Sequence, residues 1–361
     1  MARPPRRRGR TLKVALASGS LAKPEALMLN LDPRYYVDPA VLPRERVEIF
    51  SRTWQLLGPV SQVAERGQYV SADIAGLKVF AIRGRDGEIR AFRNVCRHRG
   101  AVLLEEGQGR CATIRCPYHQ WVFADDGNLI NAPWFGTEPG FDPKDWPLEP
   151  IQVAEWRGLL FAAIDPQEDL VSQLGDLIAE LADEPIETYH NVRSATVNFD
   201  ANWKIYTDNF VEGYHIPGVH PKFFAAINFE EFKTTAHKGF IRMTAPPKEG
   251  LFYRGKWLWM WPNWTLSLFD GGMNTSRINP IATDKTEQLY HFYFADTAAD
   301  LDDKRSDTIE RNLAVVREDY GICVRTHRNY EAGNYRSGPL SPRHEQGVHY
   351  FQQRVKESLG A

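Results

Sequence analysis

The rhythm of apolar positions changes twice along the chain. Between residues 43 and 57, Val47, Phe50 and Trp54 recur at helical spacing and predict a helix. The pattern then breaks into short runs bounded by turn residues. Residues 69–74, 77–83 and 88–95 read as strands, the last two joined by the hairpin turn Gly84-Arg-Asp-Gly87. Further turn clusters lie at 107–110 and 125–128, and a strand over 159–164 is stopped by Asp165-Pro166. After Pro166 helical periodicity returns over 170–181. A strand at 192–199 follows, then antiparallel strands at 264–269, 274–281 and 288–294 with turns at Asp270-Gly-Gly272 and Asp284-Lys285. Helices over 303–328 and 344–359 close the chain. The prediction is an α+β protein with three parts: an N-terminal segment (1–44), a small β domain (45–165), and a second domain (166–361) in which helices pack on one antiparallel sheet.

Composition narrows the function classes. The 361 residues are 43% hydrophobic and 25% charged, ordinary for a globular protein. Net charge is −2, and setting aside the five arginines of the first ten residues (Arg3, Arg6, Arg7, Arg8 and Arg10) leaves −7. An acidic body argues against a nucleic-acid-binding face. A twin-arginine targeting role for the arm would need an apolar core after it, and residues 12–21 are short and interrupted, so a solvated tail is the simpler reading. No run of about 18 apolar residues is present, so no membrane span is expected and a cytoplasmic location is. Four cysteines in so long a chain do not make a disulfide scaffold.

Their spacing is more informative. Cys96-Arg-His98 is followed, after seventeen residues, by Cys116-Pro-Tyr-His119. Each pair brings one thiolate and one imidazole to a loop tip. A Cys₂His₂ zinc site is one reading, although zinc fingers pair Cys with Cys and His with His. One Cys and one His in each loop suits a [2Fe–2S] cluster whose irons are held separately by two Cys and by two His. Cys111 and Cys323 have no such company and read as small buried residues.

A second constellation is Asp208-Asn-Phe-Val-Glu212-Gly-Tyr-His215-Ile-Pro-Gly-Val-His220. On a continuous helix Asp208, Glu212 and His215 would share one face. Pro217 and Gly218 would break that helix and let His220 return beside His215. Two imidazoles and one carboxylate make the facial triad of a non-haem Fe(II) centre, which keeps positions open for O₂ and substrate. The carboxylate is expected from the late helix, where Ile309, Leu313, Val316, Tyr320 and Cys323 form one side. Asp319 flanks that side and Glu318 points away, so Asp319 is preferred.

Together, Cys-Arg-His-Arg-Gly (96–100), Cys-Pro-Tyr-His-Gln-Trp-Val-Phe (116–123) and the segment from Asn202-Trp-Lys to His220 resemble Rieske non-haem iron oxygenase α subunits, from about residue 45 onward. One departure is Gln120, where the family usually has Gly. The resemblance implies a Rieske [2Fe–2S] domain and a helix-grip (START-like) catalytic domain. It implies cluster ligands Cys96, His98, Cys116 and His119 and iron ligands His215, His220 and Asp319. It also implies a homotrimer or multiple of three, in which Glu212 bridges the iron to a cluster His of the neighbouring subunit. Asp208 would orient ligands or be a helix-start charge. Glu rather than Asp at position 212 is reminiscent of the branch acting on carnitine, choline and glycine betaine.

No GxGxxG follows a strand and opens a helix. A separate NAD(P)H-dependent reductase is therefore expected to supply electrons for O₂ reduction, directly or through a ferredoxin. Trp257, Trp259 and Trp261 alternate, so on a strand they share a face. With Trp264, Tyr206, Phe210, Tyr214 and Tyr253 they could form an aromatic pocket for a quaternary ammonium substrate, or simply core. Monooxygenation of a betaine-like compound is the leading expectation, aromatic-ring (di)oxygenation the alternative. A bare Rieske electron carrier is the reading outside that class, but it leaves the second His pair without purpose.

Overall fold

The computed structural model describes residues 27–136, 139–248 and 252–360. The arginine arm lies outside them. The first unit contains strands β1 (Gln55–Pro59), β2 (Gln68–Ile74), β3 (Leu77–Arg83), β4 (Ile89–Arg93) and β5 (Gly107–Arg110). Three short strands follow, β6 (Ile114–Arg115), β7 (Val122–Phe123) and β8 (Leu129–Asn131), then β9 (Pro150–Trp156) and β10 (Leu159–Ala163). Seven form an antiparallel sheet in the order β1-β10-β9-β4-β3-β2-β5, and β6-β7-β8 make a small sheet above it. Phe80, Ile82, Phe92, Ile114 and Phe123 are almost completely buried between the two. The loops of residues 96–101 and 116–121 rise from this core, with Cys96 and Cys116 as part of it.

The second unit is one seven-stranded antiparallel sheet: β11 (His190–Phe199), β12 (Lys233–His237), β13 (Phe240–Thr244), β14 (Tyr253–Met260), β15 (Trp264–Phe269), β16 (Gly272–Ala282) and β17 (Lys285–Phe294), in the order β11-β17-β16-β15-β14-β13-β12. Period-two alternation gives its central strands two buried faces. Leu258, Met260, Trp264, Leu266 and Leu268 pack against Trp54, Phe161 and the short helices Leu170–Leu174 and Leu177–Glu180. Trp257 and Trp259 face the other way, towards the helices Trp203–Phe210, Asp302–Glu331 and Gln346–Ser358. The N-terminal segment packs on this helical side. Leu31 N–H donates to Gln352 Oε1 at 2.8 Å, and Lys204 Nζ is 2.6 Å from Glu45 Oε1, both side chains fully buried.

Several elements differ from expectation. The helix expected over 43–57 ends at Phe50, Val47 is 55% exposed, and Trp54 sits at the head of β1. The helix expected over 170–181 is two, broken at Gly175. Its φ is +56°, and a Cβ there would lie 2.5 Å from the Lys238 carbonyl oxygen. Strands β9, β12 and β13 had no sequence expectation. In β12, Lys-Thr-Thr-Ala-His, the residues are only half-buried at most, so this edge strand shows no apolar alternation. The two terminal helices are Asp302–Glu331 and Gln346–Ser358. Among the described residues no helix is long and apolar enough to cross a membrane.

Candidate active site and cluster loops

The two Cys/His loops are built alike. Cys96 N–H donates to Ala101 O at 2.8 Å, and Gly100 N–H to Cys96 O at 3.0 Å. In the second loop Cys116 N–H donates to Trp121 O at 2.8 Å, and Gln120 N–H to Cys116 O at 3.1 Å. The closing residue has positive φ in both, +73° at Gly100 and +62° at Gln120. The departure at 120 therefore places a residue with a Cβ in left-handed geometry that Gly adopts freely. The imidazoles of His98 and His119 meet edge to face at 4.6 Å, and His98 stacks on Trp121 at 5.0 Å. Both thiols are buried and both imidazoles half-exposed.

Burial pushes the Cys96 thiol up to about 11, and Cys116 beside it adds to the rise. Burial, with His119 and Arg99, holds His98 below the ordinary imidazole range and so neutral. His98 Nδ1 is buried without a hydrogen-bond partner. Two adjacent buried thiols and an unpartnered imidazole nitrogen are unfavourable as protein chemistry alone and natural as metal ligands. They fit a cluster with one iron on the thiolates and the other on the imidazoles, the imidazole edge turned outward.

The second centre starts from the helix Trp203–Phe210, whose N-cap Asn202 accepts from Lys204 N–H at 3.1 Å. The helix does not continue to His215, so Asp208, Glu212 and His215 do not share a face. Gly213 packs against the Phe232 ring, where a Cβ would clash at 2.4 Å. The Glu212 carboxylate turns back to accept from the N–H groups of Tyr214 and His215. That local cap ends the helix. It also brings Glu212 Oε1 to 2.5 Å from His215 Nδ1. A short turn, Ile216–Val219, then delivers His220 with its ring 5.1 Å from that of His215.

Asp319 completes the group from the buried flank of the long helix. One ligand atom from each of His215, His220 and Asp319 lies within 4.8 Å of the others. Asp319 Oδ1 is 2.8 Å from His220 Nε2 and 3.5 Å from His215 Nε2. Glu318, the competing candidate, stands outside this group. Its Oε2 is 2.6 Å from His220 Nδ1, and its side chain is 44% exposed. Each imidazole thus has a carboxylate on its outer nitrogen, Glu212 on His215 and Glu318 on His220, which turns Nε2 inward. Burial pulls His220 down, but the Asp319 and Glu318 carboxylates outweigh it and hold it above the usual range. A divalent cation suits this convergence of carboxylates and imidazoles, and three protein ligands on one side leave coordination positions open.

Asp208 belongs elsewhere. It accepts from Tyr36 Oη at 2.6 Å and Gln352 Nε2 at 3.0 Å, and burial pushes it up to about 7. It ties the N-terminal segment to the C-terminal helix and does not reach the imidazoles. Of the aromatic candidates, Tyr206, Phe210, Tyr253 and Trp257 line a cavity of about 80 Å³ beside His215, His220 and Asp319. The others are corrected. Trp259 packs on Phe351 at 5.3 Å, Trp261 lies under Arg354, and Trp264 faces the opposite side of the sheet against Phe161. Tyr214 is 58% exposed. Strand alternation separates Trp264 from Trp257, and Trp261 lies beyond the end of β14. Cys111 is half-buried, Cys323 buried. Sequence reasoning missed Phe223, Tyr290, Asn274 and Asn312 in the cavity wall. Alternation along β16 and β17 could have put Asn274 and Tyr290 on the inner face, but nothing in the pattern marked them for a cavity.

Comparison with known proteins agrees with these two centres. Residues 53–142 match the Rieske [2Fe-2S] domain, and residues 186–361 the ring hydroxylating alpha subunit (catalytic domain). The carnitine monooxygenase oxygenase subunit of Escherichia coli (strain K12) is 31% identical over 85% of this chain and 86% of its own. The chain belongs to the Rieske oxygenase α-subunit family. The chloroplastic choline monooxygenase of Spinacia oleracea is 28% identical, over 90% of this chain and 77% of its own. The solved quaternary ammonium Rieske monooxygenase CntA in complex with L-carnitine superposes with a TM-score of 0.82 at 27% identity, over 92% of this chain and 96% of that one. As a Rieske oxygenase α subunit the protein is an oxidoreductase, and a Rieske [2Fe–2S] cluster and a mononuclear iron are its cofactors.

Proposed function

We propose that the chain is the terminal oxygenase that hydroxylates or N-demethylates a small quaternary ammonium compound, using O₂ and electrons from an NAD(P)H-dependent reductase, with or without a ferredoxin between. The observation that carries the substrate class is the aromatic corner beside the His215/His220/Asp319 group. Phe223 meets Trp257 edge to face at 5.4 Å, and Tyr253 meets Trp257 at 5.3 Å, with Tyr206 and Tyr290 behind. Aromatic faces attract a desolvated cation by about 0.5–2 kcal/mol each. The Glu at 212 and the likeness to choline and carnitine monooxygenases support the same class.

In this reading Cys96, His98, Cys116 and His119 hold the cluster, and His215, His220 and Asp319 hold the iron. The bound metals supply stored electrons and the centre at which O₂ is reduced. The protein's own part is positional. Glu212 fixes the Nδ1 proton of His215, and Glu318 that of His220. The aromatic wall orients the cation and excludes water. The outward imidazole edge of the cluster loops suits contact with a neighbouring subunit. Glu212, beside the exposed Tyr214, is placed to meet such an edge from the other side. The reading therefore includes a homotrimer, or a multiple of three, with electrons crossing between subunits through Glu212. Thiolate ligands and a pyridine-nucleotide electron source suit the cytoplasm.

The test is a screen of substrate-dependent NADH and O₂ consumption with a surrogate reductase, over quaternary ammonium compounds and aromatic acids, with product analysis. Turnover of a quaternary ammonium compound is the expected result. Turnover of aromatic acids alone would overturn the substrate reading.

A further inference from the structure

Among the described residues, the cavity holds carboxylates at its His215/His220 end and no cationic side chain at the other. None of its described lining residues is Lys or Arg. Its acids are Glu212 and Asp319. A ligand carboxylate would surrender its hydration without gaining a cationic partner from the protein.

The rest of the wall is neutral and polar in a defined place. Strand register sets Trp257 opposite Ser267, and Ser267 opposite Asn274, so one aromatic and two neutral polar side chains stand in a row across β14, β15 and β16. Asn274 is 1% exposed, and its Nδ2 has no hydrogen-bond partner. Asn312 is 2% exposed; its Nδ2 donates to the Tyr253 hydroxyl, and its Oδ1 has no partner. Buried amide atoms left open are uncommon and call for a ligand or water. A free donor and a free acceptor on one cavity match a hydroxyl, which accepts and donates at once.

We propose that this pocket selects a quaternary ammonium with a short neutral hydrogen-bonding tail over one with a carboxylate, Asn274 and Asn312 holding the tail. The inference rests on the quaternary-ammonium reading above and sharpens it. L-carnitine, the ligand of the solved CntA complex, carries a carboxylate. This pocket selects against that feature.

The experiment is isothermal titration calorimetry on the anaerobic holoenzyme with choline, tetramethylammonium, glycine betaine, L-carnitine and the uncharged isostere 3,3-dimethyl-1-butanol. Choline is expected to bind at least tenfold more tightly than glycine betaine or L-carnitine, and more tightly than tetramethylammonium. Asn274→Leu should narrow the gap between choline and tetramethylammonium while leaving tetramethylammonium bound, which reports an intact pocket. Should the variant lose tetramethylammonium as well, Asn274→Ala, which also removes the amide donor, serves the same comparison. Equal or tighter binding of the carboxylated ligands, or an unchanged gap in the variant that retains tetramethylammonium, overturns the inference and leaves the quaternary-ammonium reading standing. The isostere matching choline, or no ammonium binding at all, overturns that reading and the inference with it.

Discussion

Replacing Glu212 by Gln removes one charge and changes little in shape. The wild-type carboxylate uses both oxygens, Oε1 on His215 Nδ1 at 2.5 Å and Oε2 on the N–H groups of Tyr214 and His215. Glutamine has one acceptor oxygen, so it keeps either the imidazole contact or the backbone cap. Its amide also weakens whichever bond it retains, because the charge assistance is gone. A hydrogen bond to a charged group contributes about 1.5–3 kcal/mol. At about 1.36 kcal/mol per tenfold, that corresponds to a loss of roughly 10- to 160-fold. The loss should fall mainly on electron delivery, with the iron still bound, since the three inward-facing ligands are untouched and Gln weakens the support of His215 without removing the side chain. The assay is a single turnover of the reduced protein with substrate and O₂, following loss of the reduced-cluster absorbance, beside metal analysis of the same sample. Glu318→Gln is the control. It removes the matching contact on His220, at 2.6 Å, from a half-exposed position with no place in the bridge. Single-turnover decay in Glu212→Gln within threefold of wild type, or equal slowing in Glu318→Gln, would refute the bridging role.

Three further outcomes follow. Asp319→Ala should lose the mononuclear iron and keep the visible spectrum of the cluster, whereas Glu318→Ala should keep the iron with affinity lowered by about 10- to 100-fold; metal titration of the apo site separates them. Lys204→Met leaves the Glu45 carboxylate buried beside Trp203 without its cation and should destabilise the fold by about 3–5 kcal/mol in denaturant titrations, much of it regained when Glu45→Gln is added. His291 is held down to about 4 by burial and by Arg277, so it is neutral when folded and readily protonated when unfolded. Its stabilising contribution is complete above about pH 6.5 and is lost as pH falls towards 4. The stability difference between wild type and His291→Asn should therefore shrink by about 2 kcal/mol from pH 7 to pH 5, measured by denaturation; a constant difference would contradict it.

What could be read without coordinates was the chemistry with short spacing. The paired Cys/His loops and the His215–His220 segment announce metal ligation because their residue types recur at loop-sized intervals. Asp319 was reachable from the periodicity of one long helix. The environment of Glu212 was not, because a continuous helix was assumed where Gly213 and the carboxylate's own cap end it. Asp208 was misplaced for the same reason, and its partners, Tyr36 and Gln352, are remote in sequence. The tryptophans misled in a different way. Alternation correctly grouped Trp257 with Trp259 on one face, but a shared face does not decide which residue reaches the cavity and which meets Phe351. The neutral polar wall formed by Ser267 and Asn274 depends on register across three strands, which no local pattern specifies.

The most direct test of the whole account is iron and acid-labile sulfide analysis of anaerobically purified protein, with electron paramagnetic resonance before and after dithionite. A Rieske cluster and one mononuclear iron predict iron to sulfide in a ratio of about three to two, with a signal from the reduced cluster. Cys96→Ser should abolish that signal. Zinc in place of iron, or a colourless protein without sulfide and silent after reduction, would contradict the account at its root.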